Sequence, residues 1–536
     1  MSGLAARGVR WFGVAAACAS MLAGLSGVAQ AQGTPKQGGT LVFGINAGDP
    51  PTYDCHASAL FNVVQTMSPF YSTLLRLDMA NYPKVVGDLA ETWTVNPEKT
   101  LYTFKLRANV KFHDGSTLTA EDVKASFDRI RNPPPGIASV RKNFFTEVEA
   151  IDTPDGSTVV FRMKRPQPAF LFTVANPGNC VYSAAKLKQD PRFPELNVLG
   201  TGAFMFASHT AGSNLEGKRF DGYYRQGLPY LDGFRAQFVS GPALINAIQS
   251  GQVLTEFRGL SPADRDRLKQ AAGDRLVVHE LPWGTNTLIT YNTKKPPFDD
   301  ARVRRALSMA VDRWQASQVL SRTTNLKAVG GIQRPGSELS ASDDELAKMP
   351  GFSRDIAAAR AEARKLLADA GHPNLKFKLS NRAAPQNPFL GAAIYLIDQW
   401  RQIGVEVEHV PLQDTAYNTS LSEGTFDLVL DFQTDFVDEP DFSYSRFLSA
   451  DISGNRARYV DRKADEMIAR QSSLSDDTVA RRKALREIET HLLSEAYMVP
   501  FLWWHRIILH DKSIKGWNMG PTHVIGQDLT EVWLDK

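Results

Sequence analysis

Cysteine is scarce, with three in 536 residues at positions 18, 55 and 180. No HExxH, CxxC or GxSxG motif occurs after residue 31, and the ten histidines are scattered singly. Zinc chemistry and serine-hydrolase chemistry therefore lack sequence support. Basic tracts are also missing, and the formal charge of the whole chain is +3, which argues against a nucleic-acid partner. Beyond residue 31 no apolar run is long enough to cross a bilayer. Gly212-Ser-Asn-Leu-Glu-Gly-Lys-Arg219 has the spacing of a phosphate-binding loop, but Arg219 replaces the magnesium-holding hydroxyl and no helix pattern follows. It reads as a loop.

What is present begins with an export signal. Arg7 and Arg10 precede the apolar run Trp11–Leu25 and the small-x-small site Ala29-Gln30-Ala31, with no acidic residue. Residues 1–31 are thus expected to be a cleaved signal peptide, and the mature chain to start at Gln32. Cys18 raises lipid attachment as a lesser reading, although the usual leucine three residues before it is missing. The remaining length is too great for one compact core, so at least two lobes are expected. Cys55 and Cys180 suit one disulfide in an oxidising compartment, with two separate buried thiols as the alternative.

Local pattern supplies the elements. Leu41–Ile45 reads as a strand, followed by the loop Asn46–Tyr53. The segments 88–95 and 101–107 read as a hairpin turning at Asn96-Pro97, and Thr119 as the cap of a helix buried through Val123, Phe127 and Ile130. Asp299 or Asp300 is expected to cap a helix with Val303, Leu307, Ala310 and Trp314 along one face. Ile356–Ala370 reads as an amphipathic helix ended by Gly371, and Glu487–Tyr497 as another helix. Val499–Trp504 and Ile507–His510 read as a pair of strands.

The stretch from Leu375 to Asp441 carries the strongest functional signal. Leu375–Leu379 alternates, Pro388–Ile403 is an apolar-rich helix stopped by Gly404, and Val405–Val410 alternates again. The apolar run Phe426–Phe432 follows. Arg382 falls in the loop after the first of these strands and Asp435 in the loop after the last. Open parallel sheets bind ligands beyond the carboxyl ends of their strands. A guanidinium and a carboxylate held there suit a small zwitterion, one gripping its carboxylate and the other its ammonium; ordinary loop charges are the competing reading of each. Asp438 and Glu439 lie close by, so an acidic pocket for a sugar amine or a cation is a further alternative.

Leu89–Ile130 (LAETWTVNPEKTLYTFKLRANVKFHDGSTLTAEDVKASFDRI) resembles the signature region of the family 5 extracellular solute-binding proteins, the peptide, opine, nickel and glycan receptors of bacterial ABC importers. Three further stretches are similar in the right order: Leu199-Gly-Thr-Gly202, Tyr224–Phe234 (YRQGLPYLDGF) and Asn292–Arg313 (NTKKPPFDDARVRRALSMAVDR). The resemblance implies an α/β, two-lobed periplasmic binding protein of type II, in the large cluster with an extra subdomain, and a ligand cleft between lobes. It divides the chain into a lobe I core (32–70, 195–278 and 500–536), an extra subdomain (71–194) and lobe II (279–499). It makes Gly200-Thr201-Gly202 a tight turn. It further implies a monomeric periplasmic receptor without cofactor or catalytic step, which captures a small peptide or another amine- and carboxylate-bearing solute by closure. An inner-membrane permease and ATPase complex would be its partner. A non-peptide solute (a glycan, an opine, or a metal or haem complex) is the alternative, and a secreted enzyme the more distant one.

The resemblance also sharpens the residues. In dipeptide-binding members an arginine after the corresponding strand meets the ligand carboxylate, and Arg382 occupies a similar place; the aromatic that follows there is replaced by Ala383. An aspartate in a Trp-x-x-Asp pattern holds the ammonium, and Phe432-Gln-Thr-Asp435 keeps the aspartate while changing tryptophan to phenylalanine. The family chain crosses between lobes near Trp283-Gly-Thr-Asn286, where an aromatic face with Thr285 and Asn286 suits a cleft wall; a core role for Trp283 fits as well. With Asn46, these residues complete the expected ligand-binding set.

Overall fold

The alternating runs become the strands of one large sheet. The structure, a computed structural model, describes residues 3, 33–383, 388–453 and 455–536. Apart from residue 3, the proposed signal peptide lies outside the described residues, as does Cys18. Thr40–Ile45 runs parallel to both Gly233–Phe238 and Thr255–Glu256, and Asn214–Arg219 and Phe204–Thr210 extend this side antiparallel. On the other side, Lys376–Arg382 runs parallel to Glu406–Leu412 and Leu428–Thr434. Between the two sides lie two long antiparallel strands, Leu276–Tyr291 and Met498–Asp511, which join everything into one eleven-stranded sheet.

These crossing strands make the molecule two-lobed. All fourteen residues of Met498–Asp511 are buried, the condition that gives a near-continuous apolar strand rather than an alternating one. The sequence suggests two strands here, divided at His505-Arg506. The structure has one, because these polar residues find partners in place: Arg506 donates to the carbonyls of Phe257, Arg258, Gly520 and Thr522, and His505 pairs with Glu280 at 2.9 Å. The register of the crossing strands shifts between Pro282 and Asn286 and again between Asn286 and Leu288. Such irregularities bend and re-aim a strand, and these fall where the chain passes from lobe to lobe.

A second, four-stranded sheet holds the expected hairpin, Ala90–Val95 with Leu101–Leu106, beside Thr158–Met163 and Val148–Asp155. Asn96 sets its turn by accepting from the backbone N–H groups of Thr100 and Leu101 at 2.8 Å. Helix Ala120–Arg131 carries a reciprocal capping box between Thr119 and Asp122, and its Val123, Phe127 and Ile130 enter this sheet's core. Where the resemblance implies a tight turn, Gly200 and Gly202 lie against the backbone of Phe70, which a side chain at either glycine would strike.

Three local expectations need correction. Gly212–Arg219 is the turn and return strand of a hairpin with Phe204–Thr210, since Asn214–Arg219 finds ladder partners on both edges. The helix capped by Asp300 ends at Met309, and Trp314 belongs to a second helix, Arg313–Leu320, capped by Asp312. The helix read as Glu487–Tyr497 is Thr478–Glu495, starting earlier because Asp477 caps it.

Cys55 and Cys180 form a disulfide that closes a loop of 125 residues. Beside it, buried Arg129 pairs with buried Asp54 at 2.5 Å, and Tyr182 Oη donates to the same carboxylate at 3.1 Å. Tethering so long a loop restricts the unfolded chain, a contribution of about 4–5 kcal/mol in the loop-entropy model. Replacing Cys55 with serine is expected to lower the melting temperature of the oxidised protein, and reducing agent should then have no further effect; an unchanged melting temperature would contradict the assignment.

Candidate functional site

Strand directions locate the site. Thr434, the last residue of Leu428–Thr434, opposes Thr285, so the carboxyl ends of the lobe II parallel strands point at the lobe junction. Thr255 opposes His510, and the chain then runs to Leu260, whose N–H donates to Ile507 O. The lobe I parallel strands therefore aim their carboxyl ends at the same junction from the other side. Two sets of such ends facing each other across a bend make a cleft, the position in which open sheets take ligands.

On the lobe II wall, Asp435 follows strand Leu428–Thr434. Its N–H donates to Gly284 O at 2.9 Å, and its carboxylate accepts from Gln433 Nε2 at 2.9 and 3.0 Å and from Ser443 Oγ at 2.7 Å. Burial raises its pKa above the ordinary aspartate value, against the opposing effect of Gln433 and Ser443. Its acidic neighbours are neutralised. Asp438 takes Arg334 in a two-pronged pair at 2.5 and 2.8 Å, Glu439 pairs with Arg481, and Asp431 with Arg446 and Arg456. Asp435 has no ion pair among the described residues, and with Asp438 and Glu439 so engaged there is no open acidic pocket beside it.

Arg382 ends its strand with the guanidinium over the rings of Tyr417 (4.9 Å) and Phe432 (5.6 Å), its amino groups reaching Asn418 Oδ1 at 3.0 Å and Asp414 Oδ1 at 3.4 Å. Its buried Nε has no partner. Phe432, three residues before Asp435, also meets the rings of Trp504 and Phe389. Thr285 Oγ1 meets Thr434 Oγ1 at 2.9 Å, and buried Asn286, opposite Gln433, leaves Oδ1 unpartnered. Trp283 is buried edge-on to Trp504 and His523, with Nε1 unpartnered. Asn46 stands apart from these: its Oδ1 accepts from the N–H of Gly241 at 3.3 Å, at the start of a helix.

The structure adds residues that the sequence did not single out. Pro521–His523 comes against Gly284, whose N–H donates to Pro521 O at 2.6 Å. Helix Phe61–Met67 brings Phe61 and Gln65 to His523, and Arg258 lies on Phe61 with its guanidinium carbon 4.5 Å from the ring centre. The strand-end rule that picks out Arg382 applies equally to Arg258, but the strand before it, Thr255–Glu256, is two residues long and too short to read from pattern.

The lobes also touch at the mouth of the cleft. Asp438 N–H donates to Tyr82 Oη at 2.8 Å, and Leu77, Val437 and Ile525 share an apolar cluster. No group of three or more metal-ligating side chains occurs among the described residues.

Comparison with known proteins agrees with this architecture. Relatives include the glutathione-binding protein GsiB of Pectobacterium atrosepticum, 29% identical over 60% of this chain and 59% of that protein. The chain thus spans under two thirds of that relative. The probable D,D-dipeptide-binding periplasmic protein DdpA of Escherichia coli K12 is 26% identical over 90% of this chain and 92% of its own. Among solved structures, the binding protein AgaA from A. tumefaciens R10 in complex with agropinic acid superposes with a TM-score of 0.76 at 26% identity, covering 93% of this chain and 99% of that one. Residues 84–455 match the model for the bacterial extracellular solute-binding proteins, family 5 (middle region). Two α/β lobes whose strand ends face each other across a pair of crossing strands, together with that match, place this chain in the bacterial extracellular solute-binding proteins, family 5.

Proposed function

We propose that this protein is a periplasmic receptor that captures a small peptide, or a similar solute bearing an amine and a carboxylate, and presents it to an ABC permease and its ATPase. The observation that carries this reading is the facing of strand ends across the junction, with buried, unpartnered polar atoms of Trp283, Asn286 and Arg382 along it. Buried polar atoms are nearly always hydrogen-bonded, so a set left unpaired beside a cleft suits a ligand. Relatives named for glutathione and D,D-dipeptides support the peptide class.

In this reading Asp435 meets the ammonium group, Arg382 the carboxylate, and Phe432, Thr285, Asn286 and Trp283 form the wall; Asn46 holds the lobe I rim through Gly241. The lobes divide at 279 and 499 and close as rigid bodies about the crossing strands, with the extra subdomain, 71–194, meeting lobe II at Tyr82. A ligand bridging the lobes favours the closed form by its differential affinity for it, and the closed form is what the permease recognises. No catalytic step is needed. A bound compound that is consumed on incubation would instead indicate a secreted enzyme.

The deciding experiment is mass spectrometry of the small molecule that copurifies, followed by thermal-shift titration with it. A ligand of the native state at one hundred times its Kd stabilises by about 2.7 kcal/mol. A neutral sugar or a metal complex as the stabilising compound would overturn the roles of Asp435 and Arg382.

Asp435→Asn is expected to weaken an amine-bearing ligand by about 2–4 kcal/mol, the scale for losing one member of a buried charge pair. Because burial raises its pKa, Asp435 holds a proton at a higher pH than a free aspartate, and an arriving ammonium must displace it. Affinity should then fall as pH falls, beginning above the ordinary aspartate range, and calorimetry on Asp435→Asn should show this slope lost. Arg382→Ala should weaken ligands with a free carboxylate and spare their amides; equal losses would remove Arg382 from carboxylate recognition.

A further inference from the structure

We infer that lobe I contributes a second anion-recognising group to the cleft, Arg258, and that the solute carries a second carboxylate facing that lobe. This rests on the receptor reading above and makes it more specific, from an amine with one carboxylate to an amine with two.

The placement of Arg258 is fixed from several sides. Its backbone carbonyl accepts from the Arg506 side chain, at Nε and 3.0 Å, and Arg506 opposes Leu281 on the crossing strand. Asp435 is anchored to Gly284 on the same strand. The two anchor points, Leu281 and Gly284, are three residues apart on that strand, at the bend where its register shifts, and serve opposite walls of the junction.

Arg258 is half-buried, and its side chain makes no hydrogen bond or ion pair among the described residues. Its one contact of note is the face of Phe61, which holds the guanidinium plane while leaving its N–H edge free. Around it, Trp283, Gln65 and Thr522 are 4%, 1% and 1% exposed, and Trp283 Nε1, Gln65 Oε1, Thr522 Oγ1 and Arg258 Nε are all without partners. They come from four separate segments of the chain. His523, next to Thr522, gathers them: its ring meets Phe61 and Trp283 (6.1 and 5.5 Å), its carbonyl accepts from Gln65 Nε2 at 3.4 Å, and Phe61 carries Arg258.

The local charge is unbalanced. Glu256, buried below, spends its carboxylate on the N–H groups of Arg258 and Gly259, both at 2.7 Å. Arg506 stays cationic at neutral pH, although burial lowers its pKa to about 9. Burial, together with Arg258 and Arg506, drives the pKa of His523 well down, so it adds no charge. Two cations thus share one acid, leaving a surplus positive charge in a partly dry corner. An unpaired cation there is costly, and an anion arriving with the ligand removes that cost. A guanidinium presents paired donors that match a carboxylate, and the neighbouring indole N–H adds a third.

The test uses two dipeptides that differ only in that anion, Ala-Glu and Ala-Gln, titrated calorimetrically into the mature protein. The wild type should bind Ala-Glu at least tenfold more tightly than Ala-Gln. Arg258→Gln should bring the two to within about twofold, and Arg258→Lys should restore part of the preference. Equal binding of both dipeptides by the wild type, or a preference that survives in Arg258→Gln, overturns the role of Arg258 and leaves the receptor reading intact. Should Arg258→Gln fail to fold, the wild-type comparison and Arg258→Lys decide the matter. Binding of neither dipeptide, with a copurifying compound that has no amine, overturns both readings.

Discussion

The pairing of Leu276–Tyr291 with Met498–Asp511 is the constraint on which the rest of the molecule depends. Among the described residues two strands carry the sheet from one lobe to the other, so what acts across the junction is positioned relative to them. Arg506 concentrates that dependence. Its buried guanidinium gathers the carbonyls of Phe257, Arg258, Gly520 and Thr522, which pins the Arg258 loop and the 520–523 segment to one strand. Its partner strand holds Asp435 through Gly284, where a Cβ would come within 2.9 Å of the Asp435 carbonyl. Both walls of the cleft are therefore hung from neighbouring positions of one strand pair, and a bend in that pair moves them relative to each other.

Electrostatics then separates the ion-paired charges of the junction from those without an ion pair. Around the junction, Asp431, Asp438 and Glu439 each face an arginine, as buried carboxylates generally must. Asp435 and Arg258 do not. One is held by neutral donors with Arg446 nearby, the other rests on an aromatic face with Glu256 nearby, and neither makes an ion pair among the described residues. The junction thus carries a negative point on lobe II and a positive point on lobe I, with Arg382, 3.4 Å from Asp414, leaning on Tyr417 and Phe432.

Much of the fold was legible because its signals are local. The capping box at Thr119 and Asp122, the Asn96 turn, the strand–helix–strand unit from Lys376 to Leu412 and the helix stop at Gly371 each depend on neighbours a few residues away. The readings that failed are those in which tertiary partners override a local cue. His505-Arg506 looks like a break between strands until Glu280 and four distant carbonyls satisfy it. Gly212–Arg219 looks like a loop until strands on both sides complete its ladder. In the cleft, Asp435 and Arg382 could be named from strand ends, whereas Arg258, Gln65 and Thr522 could not. They follow a two-residue strand, sit mid-helix, or lie in a segment without regular structure.

The sequence by itself determined the α/β class, the order of most elements, the family resemblance and the two charges of lobe II. All of these are written in short-range periodicity, caps and turn residues. Only the tertiary structure decided that residues near 61, 258, 283, 435 and 522 meet at one junction, and which charges there make no ion pair among the described residues. Those facts follow from the pairing of strands more than 200 residues apart in the chain, Leu276–Tyr291 with Met498–Asp511, and long-range register leaves no trace in the local pattern of either strand.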